Sequence, residues 1–373
     1  MRLERPALLA LHRELVRTPS VSGEEAAIVE LLFAFFAHHG SEVERVGGSL
    51  VVWGGKASVK GVLTSAPLVV LNTHLDTVPA APGWTREPFA PAPAGSDGKV
   101  FGLGANDAKA SVAAMTAAFL AASELDLPFT LALTLVRGEE TKSTGSAEVV
   151  AELARRGLVP AMAVVGEPTG LDLAVAQKGL LVLELVARGE AAHAAHARTL
   201  GAKNAIGALV RDLAAIAALP EGPLEHYLGR ATVEPTVLSG GTARNVVPAE
   251  ARAVLDCRTV PTEPPAELLA RLRAAVESEL VVLSDRLEPV ATDPDSTLVA
   301  AARRARPEAR LYGSATLSDL TFFRGIPALK VGPGASERSH RPDEFVLEQE
   351  IVDGADFYER LLIEVAHGMR SPT

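Results

Sequence analysis

The chain has 373 residues, which is enough for two domains with separate hydrophobic cores. Its 48% hydrophobic and 22% charged residues are typical of globular proteins, and a net charge of −10 argues against a nucleic-acid partner. A single cysteine, Cys257, excludes an intrachain disulfide and suits a reducing compartment. The longest apolar stretch is too short to span a bilayer, so we expect a cytoplasmic protein.

Helices and strands alternate through the first part of the chain. The pattern predicts helices at 7–16 and 22–40, with Ser22 and Glu25 forming a capping box at the start of the second. It continues with a strand pair at 42–53 and 68–73, a loop at 78–95, a helix after Asp107 to 122, a strand at 129–136, a helix at 145–156 and a strand at 161–165. This alternation indicates an α/β domain with a mostly parallel sheet.

The order of the elements changes near residue 173. The pattern now predicts a strand at 180–187, a helix at 204–218, strands at 231–238 and 251–257, a helix at 265–280 and a strand near 287–291. This β-α-β-β-α-β order is the ferredoxin-like arrangement, whose sheet is mostly antiparallel. After residue 292 we expect helix, strand, helix and strand at 296–305, 309–312, 317–323 and 328–331. We therefore predict a catalytic domain of residues 1–173 and 292–373, with residues 174–291 inserted into it.

Histidine and acidic residues follow the ends of three predicted strands. These residues are His74 and Asp76, then Glu139 and Glu140, then Glu167. Because the carboxyl ends of parallel strands lie along one edge of a sheet, we expect these side chains to converge. Asp107 and His340 lie in glycine-rich loops and complete a set of imidazole and carboxylate ligands suited to two divalent ions. The set predicts metal-assisted hydrolysis.

Each of these residues has a simpler interpretation when taken alone. Asp107 could be the N-cap of the next helix, the Glu139–Glu140 pair could be a solvated turn, and His340 could be an exposed loop residue. However, adjacent carboxylates at a strand end repel each other unless cations are near. Asp76 could also fix the tautomer of His74 through a hydrogen bond to its far nitrogen. The combination favours the metal site.

Several motifs resemble those of one known family. They are NTHLDTVP at 72–79, GANDAK at 104–109, GEET at 138–141, GEPT at 166–169, GGTARNVVP at 240–248 and the glycine-rich loop 332–340. With these motifs the chain resembles the dinuclear zinc aminoacylases and deacylases, which include acetylornithine deacetylase, succinyl-diaminopimelate desuccinylase and glutamate carboxypeptidase. It looks most similar to the acetylornithine deacetylase-like members.

The resemblance implies a zinc-exopeptidase-like α/β catalytic domain with an inserted ferredoxin-like dimerisation or lid domain. It also implies two zinc ions, for which cobalt can substitute. His74 and Glu167 would hold one ion, Glu140 and His340 the other, and Asp107 would bridge them before a cis peptide bond to Ala108. Glu139 would be the general base, and Asp76 would support the catalytic site.

The resemblance also assigns roles in the inserted domain. His193 would enter the active site of a second subunit and hold the oxyanion, which implies a homodimer. Asn245 and Arg258 would bind the carboxylate of the substrate, and Gly332 and Gly334 would contribute backbone groups from the later loop. A solvent-facing His193 and a plain surface charge at Arg258 are the simpler alternatives.

The predicted activity is removal of an acyl group from an N-acyl amino acid, in arginine or lysine biosynthesis. Acetylornithine or acetyl-lysine is the first choice of substrate, with succinyl-diaminopimelate or a peptide as the alternative. A serine hydrolase is disfavoured because the sequence contains no Gly-Xaa-Ser-Xaa-Gly elbow. An inactive metal-binding homologue is the non-enzymatic alternative. Departures from the family pattern at Ala108, Ala110 and His196 leave the choice of substrate open.

Overall fold

The computed structural model of the protein describes residues 2–54 and 66–370. It divides into two compact units. The first unit comprises Met1–Val175, Thr292–Tyr312 and Ser318–Thr373, and the second comprises Ala176–Ala291 and Gly313–Leu317. Over the described residues, no helix has the length and apolar character needed to cross a membrane.

The helices and strands have the following bounds. The helices are α1 (Arg5–Arg17), α2 (Ala26–His38), α3 (Lys109–Ala122), α4 (Thr144–Arg155), α5 (Ala197–Leu200), α6 (Ala205–Ala217), α7 (Pro265–Ala275), α8 (Thr297–Ala305), α9 (Glu348–Arg370) and the short 3-10 helices Asp319–Phe323 and Ser336–Arg338. The strands are β1 (Glu42–Val46), β2 (Ser49–Gly54), β3 (Leu68–His74), β4 (Lys99–Phe101), β5 (Thr130–Val136), β6 (Pro160–Val165), β7 (Leu173–Gln177), β8 (Gly179–Arg188), β9 (Ala192–His193), β10 (Thr232–Gly240), β11 (Val246–Val247), β12 (Glu250–Thr259), β13 (Glu279–Leu287), β14 (Val290–Ala291), β15 (Leu311–Ser314), β16 (Ala328–Lys330) and β17 (Phe345–Leu347).

The sheet of the first unit is parallel at its centre. Its strands β5, β3, β6 and β16 run parallel in that spatial order, and β2 and β1 add antiparallel strands beside β5. The apolar helix α3 is buried along almost its whole length and packs against α1 and α9, as expected for a helix that is apolar on all sides. The carboxyl ends of β3, β5 and β6 therefore open at one edge of the sheet, which confirms the predicted catalytic fold.

The second unit has the predicted β-α-β-β-α-β order. Its antiparallel sheet is arranged β10-β12-β8-β13. Residues that alternate along β8 and β12, such as Leu183 and Leu255, are fully buried and form a core with α6 and α7. Alternating burial along a strand is typical of a sheet covered on one face. The ferredoxin-like arrangement of this segment is confirmed.

The predicted capping box at the start of the second helix is wrong. Helix α2 begins at Ala26, and Glu25 instead accepts a hydrogen bond from the backbone N–H of Gly138 at 3.1 Å. The hydroxyl of Ser22 donates to Asp76 Oδ2 at 2.7 Å. Both side chains have their partners at the ends of other strands, because tertiary contacts override the local capping pattern here.

Several further elements differ from the prediction. Helix α7 ends at Ala275, not at residue 280, because the backbone N–H groups of Glu277 and Ser278 donate to the carboxylate of Asp212. Strand β13 begins at Glu279 and ends at Leu287, and the short strand β14 (Val290–Ala291) lies within the predicted strand near 287–291. The predicted helix at 317–323 is a short 3-10 helix, and the long helix α9 was not predicted.

Candidate metal centre

His74, Asp107 and Glu167 form the first group of ligand atoms at the site. His74 ends β3, and its Nε2 atom lies 3.1 Å from Asp107 Oδ1 and 3.9 Å from Glu167 Oε1. Its Nδ1 atom lies 3.0 Å from the main-chain oxygen of Asp76. A proton on Nδ1 that is donated to this oxygen leaves the lone pair of Nε2 free for a metal ion.

A second group of ligand atoms includes Asp107 again. His340 Nε2 lies 2.9 Å from Glu140 Oε2 and 3.9 Å from Asp107 Oδ2. The potential ligand atoms of His74, Asp107 and Glu167 lie within 4.8 Å of one another, as do those of Asp107, Glu140 and His340. The two oxygens of Asp107 therefore face different groups, which is the arrangement that a bridging carboxylate needs.

The pKa values of the site show an excess of negative charge. Burial and the neighbouring Glu167 carboxylate raise the pKa of Glu139 well above its usual range. Burial and the charge of Asp107 raise the pKa of Glu167 to about 8. The hydrogen bond to Glu140 raises the pKa of His340 to about 9. Two divalent ions would balance this charge, and imidazole and carboxylate are ligands that zinc prefers, so the residues fit a dinuclear centre.

Asp76 organises the two adjacent glutamates. Its carboxylate accepts hydrogen bonds from the backbone N–H groups of Glu139 at 3.0 Å and Glu140 at 3.1 Å, in addition to the hydroxyl of Ser22. Its Oδ1 atom lies 3.5 Å from His74 Nδ1, whose hydrogen bond goes to the main-chain oxygen of Asp76. One buried carboxylate thus links the end of β3 to the turn after β5.

Asp107 is not a helix cap. The N-cap position of α3 is Ala108, and the peptide bond between Asp107 and Ala108 is cis, as the family resemblance predicts. The carboxylate of Asp107 faces His74 and His340, so the simpler interpretation as an N-cap is wrong. The adjacent-glutamate turn is likewise part of the cluster rather than a solvated surface turn.

Gly332 and Gly334 lie where a side chain would not fit. A Cβ atom on Gly332 would lie 2.6 Å from the main-chain oxygen of Glu167, and one on Gly334 would lie 2.2 Å from Asn106 Oδ1. The backbone N–H of Gly332 donates to Thr169 Oγ1 at 3.1 Å. Both glycines therefore allow close packing against ligand-bearing segments, and their predicted contact with substrate stays a prediction.

His193 and Asn245 are neighbours in the second unit. Strands β9 and β11 pair, with His193 opposite Val246, and Ala194 donates its backbone N–H to the main-chain oxygen of Asn245 at 2.9 Å. The side chain of His193 is exposed. Arg258 lies on β12 and makes an ion pair with Asp256 at 2.7 Å, so its charge already has one partner. The substrate-binding roles of these residues stay predictions.

Two buried acids near the site were missed in the sequence. Asp319 accepts a hydrogen bond from the side-chain amide of Asn72 at 3.3 Å, and burial raises its pKa to about 6. Glu344 accepts hydrogen bonds from the loop that contains Asp107. Asp319 directly precedes Leu320, Glu344 directly precedes Phe345, and mostly apolar residues follow in both cases. An acidic residue beside an apolar run is the sequence signal that could have indicated a buried carboxylate.

The fold and the paired ligand groups define a class of protein, the dinuclear metallohydrolases. Residues 70–364 match the protein family described as Peptidase family M20/M25/M40. The chain belongs to this family, whose members are metal-dependent hydrolases of amide bonds. The predicted family and the predicted enzyme class are thereby confirmed.

Individual relatives agree with this assignment. The chain is 32% identical over 384 residues to a succinyl-diaminopimelate desuccinylase of Delftia acidovorans, covering 96% of this chain and 97% of that protein. It is 35% identical over 260 residues to a probable carboxypeptidase of Aspergillus clavatus, covering 66% of this chain and 56% of the longer relative. The structure of aminopeptidase PepT from Bacillus cereus has a TM-score of 0.79 at 23% identity, covering 98% of this chain and 99% of that one, and shows the same fold.

Proposed function

We propose that the protein hydrolyses the amide bond of an N-acyl amino acid with the aid of two zinc ions, for which cobalt can substitute. The observation that supports this most strongly is the pair of ligand groups that share Asp107. His74 and Glu167 would hold one ion, and Glu140 and His340 would hold the other. Glu139 stands outside both groups and remains available for proton transfer.

Metal ions bound at this site would polarise the acyl carbonyl and make a water molecule more acidic. Glu139 is the proposed general base, which takes the proton of the attacking water and delivers it to the leaving amine. Without metal, burial raises the pKa of Glu139 well above its usual range, and two nearby cations would lower it again. A general base works best when its pKa is near the working pH. Asp76 holds the backbone of Glu139 in place for this transfer.

The acyl group is the open part of the proposal. An acetyl group, as in acetylornithine, follows from the family resemblance. A succinyl group is the second candidate, because the resemblance to the desuccinylase of Delftia acidovorans extends over 96% of this chain. A carboxypeptidase or dipeptidase activity would require the same metal chemistry on a peptide bond.

A panel of substrates tests this function. Release of free amine is measured with N-acetylornithine, N-acetyl-lysine, N-succinyl-diaminopimelate and a dipeptide, after loading with zinc or cobalt. We expect at least one of the N-acyl amino acids to be hydrolysed and the preference to identify the acyl group. Hydrolysis of the dipeptide alone would assign a peptidase. Two bound metal ions without hydrolysis of any substrate would favour the inactive homologue.

A homodimer is part of the proposal, with His193 of each subunit serving the active site of its partner. Strand β10 lies at one edge of the second-unit sheet and is exposed over most of its length. On this strand the side chain of Leu238 is 63% exposed, and Ile206 and Val210 of α6 are exposed apolar residues of the same unit. An exposed edge strand that carries apolar side chains is a ready site for pairing with a second copy.

Mixing of two inactive variants tests the exchange of His193. Loss of an oxyanion donor is expected to lower kcat by about 10²- to 10³-fold in His193→Ala. A dimer of one His193→Ala subunit and one Glu139→Gln subunit would contain one site with both side chains intact. Random mixing of refolded subunits should therefore restore about a quarter of the wild-type activity, because half of the dimers are mixed and each has one working site.

The edge strand provides the control for this experiment. Leu238→Arg places a charge on β10 and should abolish both the dimer and the restored activity. Leu283→Arg makes the same change at an exposed position of β13, at the opposite edge of the sheet, and should leave both intact. Mixed variants that stay inactive while forming dimers would contradict the role of His193 in the partner site.

A further inference from the structure

Glu344 is buried behind Asp107 and binds the backbone of its loop. Its side chain is 3% exposed. The carboxylate accepts hydrogen bonds from the N–H groups of Gly104 at 3.1 Å, Asn106 at 2.8 Å and Asp107 at 3.0 Å. The main-chain oxygen of Glu344 accepts a fourth hydrogen bond, from the N–H of Gly102 at 3.0 Å. One residue thus holds the whole segment 102–107.

We propose that Glu344 is a positioning residue for the metal centre, which fixes the backbone of Asp107 so that its two carboxylate oxygens face the two ligand groups. This inference rests on the proposed role of Asp107 as the bridging ligand. Glu344 itself would contact neither metal ion nor substrate. It would act through the backbone of the loop.

The carboxylate of Asp107 does not cap helix α3, although it lies directly before the first turn of the helix. A short acidic side chain beside the first turn of a helix tends to bind nearby backbone N–H groups. Here the N–H of Asp107 is already directed to Glu344, and the carboxylate of Asp107 faces His74 and His340. The charge of Asp107 is therefore left for cations.

Asn106 connects the same loop to the segment that contains His340. Its Oδ1 atom accepts a hydrogen bond from the N–H of Ala335 at 2.9 Å, and its Nδ2 atom donates to Ser339 Oγ at 3.2 Å. Strand β17 directly follows Glu344 and pairs with β4, with Phe345 opposite Phe101. Two ligand-bearing loops far apart in the sequence are therefore joined around Glu344 and Asn106 by hydrogen bonds within the chain.

Glutamine at position 344 would disrupt this arrangement with little change in shape. Its amide has one acceptor oxygen, which can still serve Asn106 and Asp107. Its NH₂ group would face the N–H of Gly104, and two donors cannot satisfy each other. Partners of metal ligands typically change metal affinity by about 10- to 100-fold when they are altered.

The test compares Glu344→Gln with Asp212→Asn. Asp212 is also a buried carboxylate that accepts two backbone hydrogen bonds, but these come from Glu277 and Ser278 in the second unit. Cobalt binding to each purified, metal-free protein is measured by titration calorimetry, together with the visible absorption and the magnetic coupling of the two cobalt ions. We expect Glu344→Gln to bind one of the two ions about 10- to 100-fold more weakly and to lose the coupling. Asp212→Asn should retain wild-type values.

The outcomes separate this inference from the proposed function. A wild-type protein that does not bind two cobalt ions would overturn the function and, with it, the inference. Equal cobalt affinities and equal magnetic coupling in the wild-type protein and in Glu344→Gln would overturn the inference alone. If Glu344→Gln does not fold, Glu344→Asp keeps the charge but is too short to reach all three N–H groups. Wild-type cobalt binding by that variant would refute the positioning role.

Discussion

Glu139→Gln is expected to lower kcat by about 10²- to 10⁴-fold while two metal ions remain bound. Glutamine has nearly the same shape as glutamate but cannot accept a proton from water. The backbone N–H of residue 139 would still donate to Asp76, so the turn after β5 should keep its conformation. The measurement is steady-state hydrolysis of the best substrate of the panel, with metal content determined on the same sample.

The neighbouring glutamate provides a matched control. Glu140→Gln removes the same charge one residue further along, but Glu140 lies 2.9 Å from His340 in the second ligand group. We expect this variant to lose affinity for one metal ion and to regain part of its activity when metal is added in excess. A Glu139→Gln variant with wild-type kcat would refute the role of Glu139 as the base. Loss of bound metal from Glu139→Gln would indicate instead that Glu139 is a metal ligand.

Removal of metal is expected to abolish activity and to make stability fall as the pH rises. In the metal-free protein, the pKa of Glu167 is raised to about 8, so the folded chain keeps a proton that the unfolded chain has released. The pKa of His340 is raised to about 9, with the same consequence above the ordinary histidine value of 6.5. The folded state therefore binds more protons than the unfolded state, and its free energy of unfolding decreases as pH increases.

The expected window runs from pH 6.5 to pH 8. Below it, His12 opposes the trend, because burial lowers its pKa to about 4. Above pH 7, Lys109 opposes it in part, because burial lowers the pKa of this amine to about 7. Across the window, four groups with raised pKa values lower the free energy of unfolding as the pH increases. They are the carboxyl groups of Glu139 and Glu167 and the imidazoles of His74 and His340.

Thermal unfolding of the chelated and zinc-loaded protein checks this prediction. The Tm of the chelated protein should fall between pH 6.5 and pH 8, and the increase in Tm caused by zinc should grow over the same range, since metal binding requires deprotonated ligands. Zinc or cobalt should restore activity. A chelated protein whose Tm rises through this window, or one that stays fully active, would contradict a charge-balanced metal centre.

Some features of the site could be predicted because they depend on local sequence. Mostly apolar strands of six or seven residues end where polar residues begin, so the positions of His74, Glu139 and Glu167 at strand ends follow from the pattern alone. The change from a mostly parallel α/β order to the ferredoxin-like order also appears in the succession of elements. Both features depend on residues that are close in the sequence, so they can be predicted without knowledge of distant contacts.

Other features could not be predicted because they depend on partners far away in the chain. Ser22 and Glu25 satisfy the capping-box pattern, but the structure directs them to Asp76 and Gly138, which local propensity cannot anticipate. The residues His340 and Glu140 are 200 positions apart, and Glu344 is 237 positions from Asp107.

The sequence by itself thus determined the family, the kind of chemistry and the positions of the acidic and histidine side chains at strand ends. Only the tertiary structure decided which of these side chains lie together, how Asp107 faces both ligand groups, and that Glu344 holds its loop. The physical reason is that strand and helix patterns depend on neighbouring residues, whereas a buried carboxylate is stable only where the folded chain supplies it with donors or opposite charge.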